Sequence, residues 1–136
     1  MPQMIFVNLP VKDLEASKSF WTKLGYSFNP QFTDENAACL VFSDTIFAML
    51  LTEPYFKTFT AKEITDAATG TEALICLSAD SREAVDTLVD AAIAAGGRPA
   101  GETQDMGYMY GRGFEDVDHH NWEVMWMDTE AAAQGG

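Results

Sequence analysis

Positive charge is scarce in this chain. Eight lysines and arginines stand against 21 acidic residues, a formal net charge of −13 over 136 residues. Such a surface repels phosphate backbones and anionic lipid, which argues against nucleic acid or a membrane surface as partner; a neutral or cationic small molecule meets no such barrier. The same acidity also serves solubility. Long apolar runs are missing as well. None approaches the ~20 residues of a membrane-spanning helix, and the opening Met-Pro-Gln-Met-Ile-Phe-Val-Asn has no basic stretch followed by an apolar core. There are two cysteines, Cys39 and Cys76, each inside a strand-like run and without zinc-ligand spacing. That usage predicts two buried, reduced thiols and a cytoplasmic setting rather than a disulfide. Also lacking are a Gly-x-Ser-x-Gly elbow, a phosphate-binding glycine loop and a dinucleotide fingerprint. What is present is a 47 % hydrophobic content, enough for a folded core in one domain.

From Met4 to Val11 the chain alternates, with Ile5, Val7, Leu9 and Val11 opposite Phe6, Asn8 and Pro10. Asp13 then reads as an N-cap and Gly25 as a left-handed stop for a helix ending at Leu24. Its apolar face holds Leu14, Ser17, Phe20, Trp21 and Leu24. A weak strand, Tyr26 to Thr33, is broken by Asn29-Pro30. Two stronger ones, Asn36 to Ser43 and Thr45 to Thr52, form a hairpin about Asp44. In the second, Phe47, Met49 and Leu51 oppose Ile46, Ala48, Leu50 and Thr52, and both rows are apolar.

An aromatic connector follows, with Tyr55, Phe56 and Phe59. Three roles stay open for it: lid over a pocket, subunit contact, or packing against a sheet. Thr60 and Glu63 have capping-box spacing for a short helix ending near Gly70. The pattern then returns. Glu72 to Ala79 is a strand, and Asp80 with Glu83 is a second capping box. The helix it starts runs to Ala95, with Ala84, Val85, Leu88, Ala92 and Ala95 inward and Asp86 and Asp90 outward. Arg98 to Gln104, Tyr108 to Glu115 and Asn121 to Met127 are three further strands. Val11 and Ala79 stand as far apart as Phe6 and Leu74, so strand-helix-strand-strand-strand occurs twice in register. The fold class expected is α+β, two βαβββ modules at about 3–53 and 71–128. Residues 54–70 connect them, and an alanine- and glycine-rich tail at 129–136 is expected to fray.

Val7 to Tyr26, Val-Asn-Leu-Pro-Val-Lys-Asp-Leu-Glu-Ala-Ser-Lys-Ser-Phe-Trp-Thr-Lys-Leu-Gly-Tyr, resembles the opening of the vicinal oxygen chelate superfamily. That group includes glyoxalase I, bleomycin-resistance proteins, fosfomycin-resistance transferases and extradiol dioxygenases. Gly113 to Val124 resembles its closing hairpin. The resemblance covers Met4 to Met127 and implies the glyoxalase/bleomycin-resistance fold, a homodimer and a small-molecule ligand. It also implies a divalent metal held by His, Gln and Glu side chains, one from each of four equivalent strands. In this sequence those positions fall at Phe6, Leu50, Leu74 and Glu123. One carboxylate among three apolar residues does not complete a metal shell, so the sequence predicts no cofactor and no metal site. His119 and His120 stand in the turn, where the family usually has Pro and Gly at the positions of Val117 and His119, and His119 suits a left-handed turn position. The imidazoles are expected to be solvated, with ligand or metal contact as the other reading.

The cavity face expected from these patterns holds Phe6, Asn8, Leu50, Leu74, Cys76, Glu123, Met125 and Met127, with Tyr110 and Arg112 reaching in from the neighbouring strand. Glu123 is the best catalytic candidate, oriented toward a ligand or paired with Arg112. Cys76 has no visible base to activate it and reads as inert. The function expected is binding of a small organic molecule in a mostly apolar cavity without the family metal. The alternative is a metal-dependent lyase or dioxygenase of the same superfamily.

Overall fold

The structure, a computed structural model, describes residues 2–130; of the tail expected at 129–136, residues 131–136 lie outside the described residues. The chain divides into two units, Met1–Asp66 and Ala67–Gly136, at a boundary inside the expected connector. Each unit holds one four-stranded mixed sheet and a long helix.

The first unit runs β1 (Ile5–Val11), α1 (Leu14–Lys23), β2 (Ser27–Asn29), a 3₁₀ turn (Pro30–Phe32), β3 (Ala37–Val41), β4 (Ile46–Thr52) and α2 (Glu53–Phe56). Its sheet order is β1-β4-β3-β2, with β1 parallel to β4 and the other pairs antiparallel. α1 starts where expected: the Asp13 side chain accepts the Ala16 N–H, and Gly25 takes a φ of 97° just past the end. Leu14, Ser17, Phe20 and Trp21 are its buried face. Trp21 meets Phe20, Tyr26 and Phe42 edge-on, at centroid distances of 5.3, 5.8 and 5.7 Å. This aromatic cluster fixes the end of the helix beside the sheet. The buried row Leu9, Val11, Ala48, Leu50, Ala38 and Leu40 forms one side of that sheet. No helix follows Thr60, contrary to the capping-box expectation. Its hydroxyl accepts the Lys62 N–H in a turn, and the short helix sits earlier, at α2, with Pro54 in its first turn.

The second unit repeats the topology: β5 (Leu74–Ser78), α3 (Arg82–Ala94), β6 (Arg98–Asp105), β7 (Met109–Glu115) and β8 (Asn121–Met127), in the order β5-β8-β7-β6 with β5 parallel to β8. The N-cap of α3 is Ser81, whose hydroxyl accepts the Ala84 N–H, rather than Asp80. Its buried face is Val85, Val89 and Ala92, while Leu88 is half-buried, a correction to the expected inward set. Turning that way brings Asp86 and Asp90 against β7. At Gly113 on β7 a Cβ would lie 2.5 Å from the Ala100 carbonyl oxygen on β6, so the two strands come closer there than a side chain allows.

Arg82, at the first turn of α3, closes on the β6–β7 hairpin. Its guanidinium donates to both Asp105 oxygens at 2.9 Å and to the Gly107 carbonyl at 2.8 Å, beneath the Tyr110 and Trp126 rings. The Arg82 hydrogen bonds hold the Asp105 carboxyl down, from 3.8 to about 2. A group depressed in the folded state contributes stability above its unfolded value and loses it as pH falls. Asp105's contribution is therefore present above 3.8 and lost toward about 2. A carbon-detected NMR titration should place its midpoint near the lower value, and Arg82→Gln should return it toward the ordinary one. An unchanged midpoint in the variant would dismiss Arg82 as the cause.

Candidate functional site

In the first unit the register sorts the sheet into two faces. Phe6 pairs with Phe47, Asn8 with Met49 and Pro10 with Leu51 across β1 and β4, and Leu51 and Met49 pair onward with Ala37 and Cys39 of β3. These residues share the face away from α1. Phe6 and Phe47 stack on it, centroids 4.9 Å apart. Beyond them lies a cavity of about 330 Å³. Its floor is Asn8, Ala37, Met49 and Leu51. One wall is the 3₁₀ turn and the loop after it, Gln31 to Asp34, and Tyr55 and Phe59 of the connector line it as well.

The wall is held by local chemistry. The Asn29 side chain accepts the Gln31 N–H at 2.9 Å, and Pro30 opens the 3₁₀ turn. Thr33 donates its hydroxyl to the Asn29 carbonyl at 2.7 Å and accepts the Cys39 N–H at 3.1 Å, tying the turn to β3. Asp34 Oδ1 accepts the Asn36 and Ala37 N–H groups at 2.8 and 3.0 Å. Cys39 is buried, as expected, and burial pushes its thiol up. Sequence reasoning missed Gln31 to Asp34. The signal available was Asn29-Pro30 together with Asp34 two residues before Asn36, an Asx turn.

Leu50 does not belong to this face. It is 1 % exposed and pairs with Leu9 and Ala38 in the buried row. The internal repeat shows which residue stands at the equivalent place. In the second unit Glu123 pairs with Cys76, two residues beyond Leu74; in the first, the partner two residues beyond Phe6 is Met49 of Asn8.

In the second unit Leu74, Cys76, Ser78, Glu123, Met125 and Met127 share one face, with Gly111 and Gly113 of β7 beside Met125 and Glu123. Tyr110 and Arg112 are on the opposite side, facing α3, so neither stands with Glu123. Tyr110 donates its hydroxyl to Asp86 Oδ1 at 2.7 Å; Arg112 donates to Asp86 and Asp90 at 3.0 Å each. The Tyr110 and Arg112 hydrogen bonds lower the Asp86 carboxyl, and Asp86 raises the Tyr110 phenol. Arg112 is thus a clamp between sheet and helix, and the expected Arg112–Glu123 pair is replaced by these two. Cys76 is exposed rather than buried. Desolvation and the Glu123 carboxylate both push its thiol up, away from the thiolate form.

The turn before β8 is built on Asp116, 2 % exposed. Its Oδ1 accepts the Asp118 and His120 N–H groups at 2.8 and 3.0 Å, and its Oδ2 accepts the Trp122 indole N–H at 2.9 Å. Burial raises the Asp116 carboxyl, against the opposing pull of His120 and these donors. His119 takes the left-handed position, φ 67°, beside Glu115 and Arg98. His120 is not solvated: it is 2 % exposed and its Nδ1 lies 2.6 Å from Glu72 Oε1.

The four positions at which the resemblance implies metal ligands thus become Phe6, Met49, Leu74 and Glu123. Phe6 and Leu74 carry no donor atom and Met49 only a soft thioether, so these residues do not fit a site for a hard divalent ion. Among the described residues no three His, Cys, Asp or Glu side chains gather as a metal-binding group.

Residues 3–43 match the family model for the bleomycin resistance protein-like N-terminal region. Solved structures match across nearly the whole chain. A hypothetical protein from S. aureus is 28 % identical, covering 93 % of this chain and 95 % of that one, with a TM-score of 0.77. A glyoxalase/bleomycin resistance protein/dioxygenase family enzyme from Burkholderia phytofirmans is 19 % identical, over 93 % of this chain and 99 % of that one, at 0.77. A fosfomycin resistance protein from Listeria monocytogenes is 17 % identical, over 93 % and 91 %, at 0.65. No curated protein matches. The fold is the α+β glyoxalase/bleomycin-resistance fold. Over residues 3–43 the chain is thus similar to the bleomycin resistance protein-like N-terminal region, and over nearly its whole length it shares the fold of the glyoxalase/bleomycin resistance structures.

Proposed function

We propose that the chain is a glyoxalase/bleomycin-resistance-like protein that binds a small organic molecule without the metal its superfamily implies. The observation that carries this reading is the cavity of the first unit. At about 330 Å³ it has the size of a small-ligand site, and it joins an apolar floor to a few polar groups, Asn8, Gln31, Thr33 and Asp34. Met49 in the floor lets it adapt to varied shapes. On the second unit's face Glu123, Cys76, Met125 and Met127 remain candidates for further ligand contact, with Glu123 the group that would orient a donor. Among the described residues no helix is long and apolar enough to cross a membrane, which says nothing of a β-barrel. A cytoplasmic homodimer is part of the proposal, carried by the superfamily resemblance; sedimentation as a monomer at micromolar concentration would remove the dimer.

Two measurements test the reading together. Protein purified without chelator, then dialysed against zinc, nickel, iron(II) or manganese, should retain none of them stoichiometrically. Glu123→Gln should behave as the wild type does. A fragment screen followed by amide NMR should shift Asn8, Met49, Tyr55 and Phe59. Tight, Glu123-dependent metal retention with turnover of a dicarbonyl–thiol adduct or a catechol would restore the metal-dependent enzyme.

A further inference from the structure

We propose that the ligand of the first unit's cavity is an organic cation, an alkylated or quaternary ammonium; this rests on that cavity being the ligand site. Three aromatic side chains line the cavity, Phe32, Tyr55 and Phe59, and all three remain open to solvent, at 57, 37 and 67 %. Tyr55 and Phe59 meet edge-on, centroids 5.1 Å apart and 80° between planes. Crossed rings present both faces and edges, and the faces attract a weakly hydrated cation. Cation–π contacts elsewhere are already satisfied by Arg82 over Tyr110 and Trp126, in the second unit.

Among the described residues lining the cavity, Asp34 is the one that carries a charge, and none is a lysine or arginine. Its carboxylate is fixed by the Asn36 and Ala37 N–H groups on Oδ1, so its negative charge is held in place before any ligand arrives. Of the two connector lysines, Lys57 is engaged by Glu63 at 3.4 Å, and neither Lys57 nor Lys62 is among the residues lining the cavity. The remaining polar lining side chains, Asn8, Gln31 and Thr33, offer hydrogen-bonding groups but no positive charge, so an anion finds no counter-charge here. A hard metal ion is also disfavoured, since Asp34 is the one carboxylate among the lining residues and its Oδ1 is already taken by two backbone N–H groups. Alkyl groups on nitrogen suit that floor, and the net charge of −13 favours the approach of a cation.

The test compares choline with 3,3-dimethylbutan-1-ol, which has the same shape with carbon in place of the charged nitrogen. Amide NMR titrations follow Asn8, Met49 and Tyr55 in the wild type, Asp34→Asn and Phe59→Leu. The asparagine keeps an oxygen for the two backbone N–H groups, and Phe59 is exposed enough for leucine to be tolerated. The result expected is choline bound at least roughly fivefold more tightly than the alcohol. That preference should fall roughly tenfold in Asp34→Asn, and by a smaller factor in Phe59→Leu, while the alcohol is held as before. Equal affinity for the two probes, or a preference that survives Asp34→Asn, would overturn the cation and leave the cavity as a neutral site. If neither probe shifts the cavity amides up to the solubility of the alcohol, the cavity reading falls with it.

Discussion

Asp116→Ala should destabilise the protein by roughly 3–5 kcal/mol, seen as a lower urea midpoint at unchanged slope. The carboxylate is the acceptor for the Asp118 and His120 backbone N–H groups and for the Trp122 indole N–H, and Trp122 is completely buried. Alanine removes all three acceptor contacts at once, and a buried donor left without a partner costs about 1–3 kcal/mol. Asp116→Asn is the informative companion. It retains one oxygen for the two backbone donors but turns an amide toward the indole, so its loss should be about half as large. Trp122→Phe, which withdraws the donor instead, should cost less than Asp116→Ala. If Asp116→Ala left the midpoint in place, the turn before β8 would not depend on this carboxylate.

Leu50→Ala is the second large effect, roughly 2–5 kcal/mol, because the methyls lost come from a fully covered position between Leu9 and Ala38. Met49→Ala, one residue earlier and on the other face, should do the reverse. It should alter ligand titrations of the cavity while moving the urea midpoint by less. Together the two substitutions read the register of β4 from function. A ligand affinity sensitive to Leu50 and indifferent to Met49 would invert the faces assigned here.

That register is also where sequence reading met its limit. In β4 both alternating rows are apolar, so alternation marks a strand without saying which row faces the helix; the answer comes from pairing with β1, where only one row, Leu9 and Val11, is buried. Tyr110 and Arg112 failed for the same reason. Their neighbours Gly111 and Gly113 carry no side chain, and the acidic pair that claims them, Asp86 and Asp90, lies more than 20 residues earlier on α3. Local chemistry was legible: Asp13 and Gly25 bound α1 because an N-cap oxygen and a left-handed glycine act within a few residues. His119 in the left-handed turn was legible too. The Thr60–Glu63 pattern misled because a capping box has no helix to start without an apolar face behind it. The cavity wall at Gln31 to Asp34 was hidden in a stretch read as a failing strand.

The parallel pairing of β1 with β4 has a consequence for synthesis. The first strand made is bonded to the last strand of its sheet, Ile5 against Ile46 and Val11 against Thr52, and β5 stands in the same relation to β8. At ~5–20 residues per second, β1 leaves the ribosome several seconds ahead of its hydrogen-bonding partner. Through that interval its backbone donors and acceptors stay with water. Its apolar row has α1, the next segment to emerge, as the first surface able to cover it. Pairing at such separation is the slow kind, since the loop must close before any ladder bond is gained. Each half of the chain is therefore expected to complete its sheet at the end of its own translation, with helix–strand docking preceding the final parallel ladder.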